Sequence, residues 1–438
     1  MTSPTVVIGS GMAALGAHEV LQAEGVDHIL VDKNPYPGGH TATFRDSSGF
    51  IFDDGPHISF TEDTRLQGLL AKNVGGEFET IKCYVDNYWH GHWVKHPAQV
   101  NLNGLPTDLV LDCIADFIAA QQAGIPDSVP NYEAWLRAAF GDTFASTFPM
   151  VYGKKYHTVD AINMDTDWLG PRLYQPDLRE VLRGALSPST VDVHYVDHFR
   201  YPSHGGFMSY LDPWVERAQV QLNRMVSSVD PKARILTFDD GSMQSYDRLL
   251  SSMPLPELIL RIVGAPVDVV EASQKLACTT AVIVNVGVGR DDISPAQWRY
   301  FYDEDVFFTR LSFPHLLSPG TVPPGCSSVQ CEVYYSDKYR PLDRSPESCV
   351  QLVIDDLIRT GILDESDEIL FSDARPIKYA NVIFDLERRP ALELVHGYLR
   401  DVDIHWCGRY GDWNYAWTDQ AFFSGEAAAK AALVGEHR

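Results

Sequence analysis

TVVIGSGMAALGAHEVLQAEGVDHILVD, residues 5–32, decides the fold class. The β-branched run TVVIG predicts a short strand, SGMAALGAHEVLQAEG a helix closed by Gly25, and HILVD a second buried strand. A strand, a glycine-rich turn, a helix and a strand make a βαβ unit. Its turn, Gly9-Ser10-Gly11-Met12-Ala13-Ala14-Leu15-Gly16, has the context that dinucleotide binding requires. Gly9 permits the tight turn and Gly11 lets backbone approach a pyrophosphate, with Met12 and Ala13 opening the helix. Ala14 or Gly16 allows close helix packing. The helix N-terminus brings partial positive charge to the phosphates. Asp32, followed by Lys33, ends the second strand, where an acid accepts a hydrogen bond from an adenosine ribose. The same turn without a ligand is the alternative; its place between strand and helix argues against it.

Glycines recur downstream. PGGH (37–40) contributes Gly38, Gly39 and His40, and FDDGPHISF (52–60) contributes Gly55, Pro56 and His57. Both stretches let backbone come close to something flat or charged.

The chain has 438 residues, enough for two or three cooperating domains, and is 45% hydrophobic, an ordinary globular value. Lys and Arg total 35 against 59 Asp and Glu, a net charge of −24 spread along the chain. Nucleic acid and anionic membranes are therefore not expected partners, although a few Arg gathered locally would still bind an anion. Seven scattered cysteines without CxxC spacing fit a reduced cytoplasm and predict no zinc site. No apolar run is long enough to span a bilayer.

Residues 61–190 are helix-rich and aromatic. After about 195, QLNRMVSSVDPKARILTFDDGSMQSYDRLLSSMP reads as a β-meander with PKA and DDG as turns. TAVIVNVGV and SSVQCEVYYS are further strands, and ESCVQLVIDDLIRTG is a helix. DIHWCG is a last strand before a helix from about 419 to 434. Three interleaved domains are expected: residues 1–60, 195–255 and 395–438 for the dinucleotide, 61–190 as a mainly helical substrate side, and 256–394 as a mixed sheet and helix substrate domain.

The set GxGxxxLG, Asp32, Gly38-Gly39, GFIFDDGPHISF, FRYPSHGGF and GRYGDWNYAWTDQAFFSG resembles the FAD-dependent group that contains amine oxidases, protoporphyrinogen oxidase and UDP-galactopyranose mutase. The mutases are the most similar. The resemblance runs nearly the whole chain and implies an α/β fold: a Rossmann-type FAD-binding domain with a parallel sheet, interleaved with a helical region and an antiparallel-sheet substrate domain. It implies non-covalent FAD, with Val226 on the cofactor side and His57 facing the isoalloxazine ring.

Three stretches resemble the mutases specifically. YHTVDAINMDTDWLGPRL supplies Trp168 and Arg172, and the resemblance places that Arg near a substrate diphosphate. WRYFYDEDVFFTR supplies Trp298 and Tyr300 for a nucleotide and Arg310 for the diphosphate. An Arg suits the task because its planar fork donates two parallel hydrogen bonds, although an Arg beside a Trp is also a common surface cation–aromatic pair. GRYGDWNYAWTDQAFFSG supplies Gly408 and Arg409 beside the cofactor, Trp413 and Tyr415 as walls of the site, and Thr418 or Asp419 as a helix cap. With Gln420, that helix start would aim at the flavin pyrimidine edge. Two departures stand out: where the mutases carry tyrosines, this chain has Leu317 and Asn381. Tyr379, two residues from Asn381 and on the same strand face, could partly compensate.

The catalytic residues the resemblance implies are His57, Arg310 and Arg172. His90, His92 and His96 are expected on an exposed strand pair and not as a metal site, and His194 and His198 need not share a face. Two chemistries follow. In one, reduced FAD attacks an anomeric carbon of a nucleotide sugar through N5 and interconverts pyranose and furanose forms, primed by a reductant such as NAD(P)H. In the other, FAD takes a hydride from a small molecule in an ordinary oxidoreductase.

Overall fold

A computed structural model of the chain describes residues 3–170, 173–190, 193 and 195–436. The opening βαβ unit is present: β1 (Thr5–Ile8), a helix Met12–Ala23, and β2 (His28–Val31) parallel to β1. Chain order then supplies a hairpin, β3 (Thr43–Arg45) with β4 (Ile51–Asp53). Strands β5 (Phe78–Lys82), β6 (Val85–Trp89) and β7 (His92–Lys95) follow inside the otherwise helical stretch, and β8 (His198–Pro202) pairs antiparallel with β5.

The meander forms as read, with β9 (Val226–Asp230), β10 (Ile235–Phe238) and β11 (Met243–Ser245). The next strand, β12 (Leu249–Ser251), returns to the first sheet. With β18 (Ile404–Trp406) it completes a four-stranded parallel sheet in the order β18-β12-β1-β2. The sequence reading includes this stretch in the meander; the three fully buried residues of β12 show why it belongs to the parallel sheet.

The second large sheet has seven strands, β17 (Ile369–Ile377), β13 (Thr280–Val288), β16 (Ser327–Tyr335), β15 (Arg310–Ser312), β14 (Trp298–Phe301), β6 and β7 in that order. All its pairs are antiparallel except β14 with β6. The strand pair around His90–His96 is the edge of this sheet, with the His90 and Trp93 side chains exposed and Asp86, Asn87 and Val94 buried. His90 contacts Asp303 at 3.0 Å and His96 contacts Asn87 at 3.0 Å. His198 pairs with Asp197, and His194 lies outside the described residues.

The C-terminal helix Thr418–Val434 closes on the helix Met12–Ala23 at backbone contact. A Cβ on Gly16 would lie 2.1 Å from the Phe422 carbonyl oxygen, and one on Gly425 would lie 1.8 Å from that of Ala13. Gly16, not Ala14, is therefore the close-packing position. The helices Leu255–Ile259, Val267–Lys275 and Arg388–Asp401 bury Leu258, Val269 and Val395 in one cluster with Val6, Ile8 and Ile404 of the parallel sheet. Residues 255–275 thus pack on the dinucleotide side, because their apolar face is complementary to β12 and β18.

Candidate active site

One cavity of about 620 Å³ runs from the Gly9–Gly11 turn to the seven-stranded sheet. At the first end, Gly9 has φ +120°, and a Cβ there would lie 2.0 Å from the Ser252 hydroxyl. Only glycine fits. The helix that follows starts after Gly11 without a side-chain cap, so its leading N–H groups are open to a ligand. Asp32 is buried and accepts hydrogen bonds from the Ser10 hydroxyl (2.6 Å) and the Asn34 amide (2.9 Å). Met12, Ala13, Lys33, Gly38, Gly39, His40 and Val226 also line this end. Ala14 does not; it is fully buried behind the turn.

Pairing register builds the other end. Ile283, Glu332, Arg310 and Tyr300 are cross-strand neighbours on β13, β16, β15 and β14. Residues two positions along, Ala281, Tyr334, Ser312 and Trp298, share their face, so alternate residues of four strands form the cavity floor. Sequence reading missed Glu332 and Tyr334. The signal was present: SSVQCEVYYS is fully buried yet places Gln330, Glu332 and Tyr334 on one face, a polar row that a core strand would not carry.

Glu332 accepts both arms of the Arg310 fork, from Nε at 2.6 Å and Nη2 at 2.8 Å, and a third hydrogen bond from the Tyr334 hydroxyl. Arg310 thus has Nη1 for a ligand, not the whole fork that two parallel bonds to a diphosphate need. Arg409, in contrast, donates to neutral acceptors only: Ala416 O (2.9 Å), Ala380 O (3.0 Å) and Asn381 Oδ1 (3.3 Å). Its guanidinium lies 5.0 Å from the Tyr415 ring centre. Gly408, Tyr415, Tyr379, Asn381 and Leu317 line the same chamber. Tyr379 and Asn381 lie just past the end of β17, yet both face the cavity.

His57 sits on the Gly55-Pro56 turn. Asp53 holds the neighbouring segments, accepting from Thr43 Oγ1 (2.6 Å), Tyr201 Oη (2.7 Å) and the Phe207 amide (3.0 Å), while Gln330 Nε2 donates to its carbonyl at 2.9 Å. His57 Nδ1 donates to Gly55 O at 2.8 Å. Burial lowers its pKa to about 4, so the ring is neutral and Nε2 is an acceptor, on a residue that lines the cavity.

Several expected positions are corrected. Trp413 does not wall the cavity; it is fully buried in the core beneath the parallel sheet, where Arg388 donates to its carbonyl. Trp168 packs edge-on to Tyr132 and His157 in the helical region, with Nε1 donating to Asp165 O at 3.2 Å. The helix cap is Trp417, not Thr418 or Asp419, because the helix begins one residue earlier than read. Gln420 folds back to accept the Trp417 N–H at 3.0 Å, and Asp419 accepts the Gln420 N–H at 2.8 Å, so neither reaches the cavity, whereas Thr418 does. Arg172 lies outside the described residues.

A sequence-family profile described as the NAD(P)-binding Rossmann-like domain matches residues 7–72. A lycopene-forming phytoene desaturase of Pseudescherichia vulneris is 40% identical over 67 residues, 15% of this chain; the chain spans only 13% of that relative's length. Among solved structures, reduced UDP-galactopyranose mutase superposes with a TM-score of 0.92 at 24% identity, covering 99% of this chain and 94% of the other. Cyclohexylamine oxidase from Brevibacterium oxydans IH-35A superposes with a TM-score of 0.68 at 14% identity, covering 99% of each chain. Residues 7–72 therefore match a Rossmann-like domain profile, and the chain as a whole shares the mixed α/β fold of the solved UDP-galactopyranose mutase and cyclohexylamine oxidase structures.

Proposed function

We propose that the chain is an FAD-dependent enzyme that rearranges a nucleotide sugar, interconverting pyranose and furanose forms without net oxidation. The observation that carries this reading is the single cavity joining the Gly9–Gly11 turn and Asp32 to a chamber that holds Trp298, Tyr300, Arg310, Arg409 and Tyr415. The fit to the cofactor rests on the glycine at φ +120°, the uncapped helix start and the buried Asp32 carboxylate. When bound and reduced, FAD supplies a nucleophilic N5 for the anomeric carbon.

The chain's own groups do the rest. Gly9, Gly11 and the helix N-terminus would hold the pyrophosphate, and Asp32 would hold the ribose. Arg409, a guanidinium without a carboxylate partner among the described residues, places positive charge where negative charge is carried by the reduced ring or by a substrate phosphate. Neutral His57 offers Nε2 as a hydrogen-bond acceptor. Phe60, Tyr195 and Trp417 pack on one another with ring centres 5.0 to 6.2 Å apart at the cavity wall.

A second reading is hydride transfer from a small molecule, and two observations favour it: Arg310 is neutralised by Glu332, and Leu317 presents an apolar wall. Anaerobic flavin spectra separate the two. A nucleotide sugar that perturbs the flavin spectrum without bleaching it supports rearrangement; bleaching of oxidised flavin by an amine or alcohol supports oxidation and overturns the first reading.

A further inference from the structure

We infer that Lys155 is a positioning residue for Arg310: its ammonium group occupies a cation site built from three backbone carbonyls of the turn 303–308, and so fixes where the strand carrying Arg310 enters the cavity. The inference rests on the nucleotide-sugar reading only in giving Arg310 an anion to meet. Lys155 lies on the helix Pro149–His157 and is 8% exposed. Its Nζ donates to the carbonyls of Asp303 (2.6 Å), Val306 (3.0 Å) and Phe308 (2.9 Å).

Three carbonyls of one short turn that converge on one atom make a cation site, the arrangement by which backbone oxygens hold a hard cation. Asp303, Val306 and Phe308 are 3% exposed or less, so water cannot take the place of the ammonium and its loss leaves buried acceptors short of a donor. A neutral amine has two N–H bonds, whereas three carbonyls, which only accept, use three. The geometry therefore requires the ammonium. Burial lowers the Lys155 pKa to about 7, and the carboxylates of Asp303, Asp305 and Asp356 oppose that shift. Those carboxylates have other partners, Asp303 the His90 amide and Asp305 and Asp356 the Arg359 guanidinium, so among the described residues Lys155 Nζ bonds to neutral oxygens.

The turn joins β14 to β15, and Phe308 precedes Arg310 by two residues. Thr309, between them, donates from its hydroxyl to the Lys155 carbonyl at 3.4 Å and from its amide to the Glu332 carbonyl at 2.9 Å. Asp356 also holds the turn, accepting from the Phe307 amide at 2.6 Å. The helix thus grips the chain from Asp303 to Thr309, and the next residue is Arg310. A strand of three residues has few ladder bonds to define its own position, and the anchored turn supplies the rest. Because Glu332 takes Nε and Nη2 of Arg310, the remaining arm, Nη1, meets a ligand only if the backbone that carries it is held in place.

The test titrates the dithionite-reduced holoenzyme anaerobically with UDP and uridine, following the flavin spectrum. Lys155→Met, of similar length without the charge, should weaken UDP about tenfold, leave uridine unchanged and keep full FAD content. Lys155→Ala should show the same loss and recover most of it in propylammonium chloride, which returns an ammonium to the carbonyls. Tetraethylammonium chloride, with the charge but no N–H, and propanol, with the size but no charge, should not restore binding. Amide hydrogen exchange reads the site without nucleotide: peptides over residues 299–312 should exchange faster in Lys155→Ala and slow again with propylammonium. Wild-type UDP affinity in both variants overturns the inference while the nucleotide reading stands, as does recovery with propanol or recovery with no additive. Failure of wild type to respond to UDP overturns the nucleotide reading instead, and the exchange result then decides whether Lys155 holds the turn.

Discussion

Arg310 and Glu332 face each other across β15 and β16, the guanidinium fork closing on a carboxylate that is 2% exposed. Removing one partner leaves a charge in the cavity wall without compensation. Arg310→Met should lower unfolding free energy by about 3 kcal/mol, and Arg310→Met with Glu332→Leu should recover most of that loss, because an apolar pair strands no charge. Urea denaturation of the holoenzyme measures both; a double variant as unstable as the single one would refute the pairing account.

Glu332→Gln should act in opposite directions on stability and binding. The neutral amide weakens its hold on Arg310, so stability falls by about 1 kcal/mol or more. The freed positive charge should tighten UDP several-fold in the same protein. Unfolding curves and UDP titrations made side by side read the two effects.

Asp32 accepts hydrogen bonds from Ser10 and Asn34 and keeps acceptor capacity toward the cavity. Asp32→Ala should weaken FAD at least tenfold through loss of a charged acceptor for the ribose, read as bound flavin per chain after gel filtration. Retention of full flavin content would remove Asp32 from the cofactor site.

The contact of Gly16 with Phe422 leaves no room for a methyl group. Gly16→Ala should force the two helices apart and cost about 3 kcal/mol, lowering the thermal midpoint, whereas Gly25→Ala meets no atom within 4 Å and suffers only from its φ of +66°. Comparison of the two variants by calorimetry separates crowding from backbone strain.

Five histidines are held neutral by burial. The pKa values of His18, His57 and His315 are lowered to about 4, and those of His40 and His157 to about 3. Each lies below the unfolded value of about 6.5, so the stability they confer is present above that pH and is lost as pH falls from 6.5 toward 4. His18, bonded to His28 at 2.8 Å, contributes to this fall. His18→Gln should therefore show a shallower decline of urea midpoint between pH 7 and 4.5; an unchanged slope would place the acid sensitivity elsewhere.

What the sequence showed and what it hid follow from the range of the interactions. Gly9, Gly11 and Asp32 were legible because turn, helix start and strand end are local features. Trp413 and Trp168 misled because an aromatic beside a functional segment reads the same whether it faces a cavity or a core, and only its place in the core cluster or against Tyr132 decides. Glu332 and Tyr334 were missed for the complementary reason: cross-strand register brings them to the site. The helix start at Thr418 rather than Asp419 is a single-residue shift, yet it turns Gln420 from the cavity to its own helix end.

The most direct test of the central claim is product chromatography after incubation of the holoenzyme with UDP-galactopyranose, with and without dithionite. The account predicts a second UDP-sugar of unchanged mass and oxidation state, formed only when the flavin is reduced. No new UDP-sugar under reducing conditions, with consumption of oxygen on adding an amine or alcohol, would contradict it.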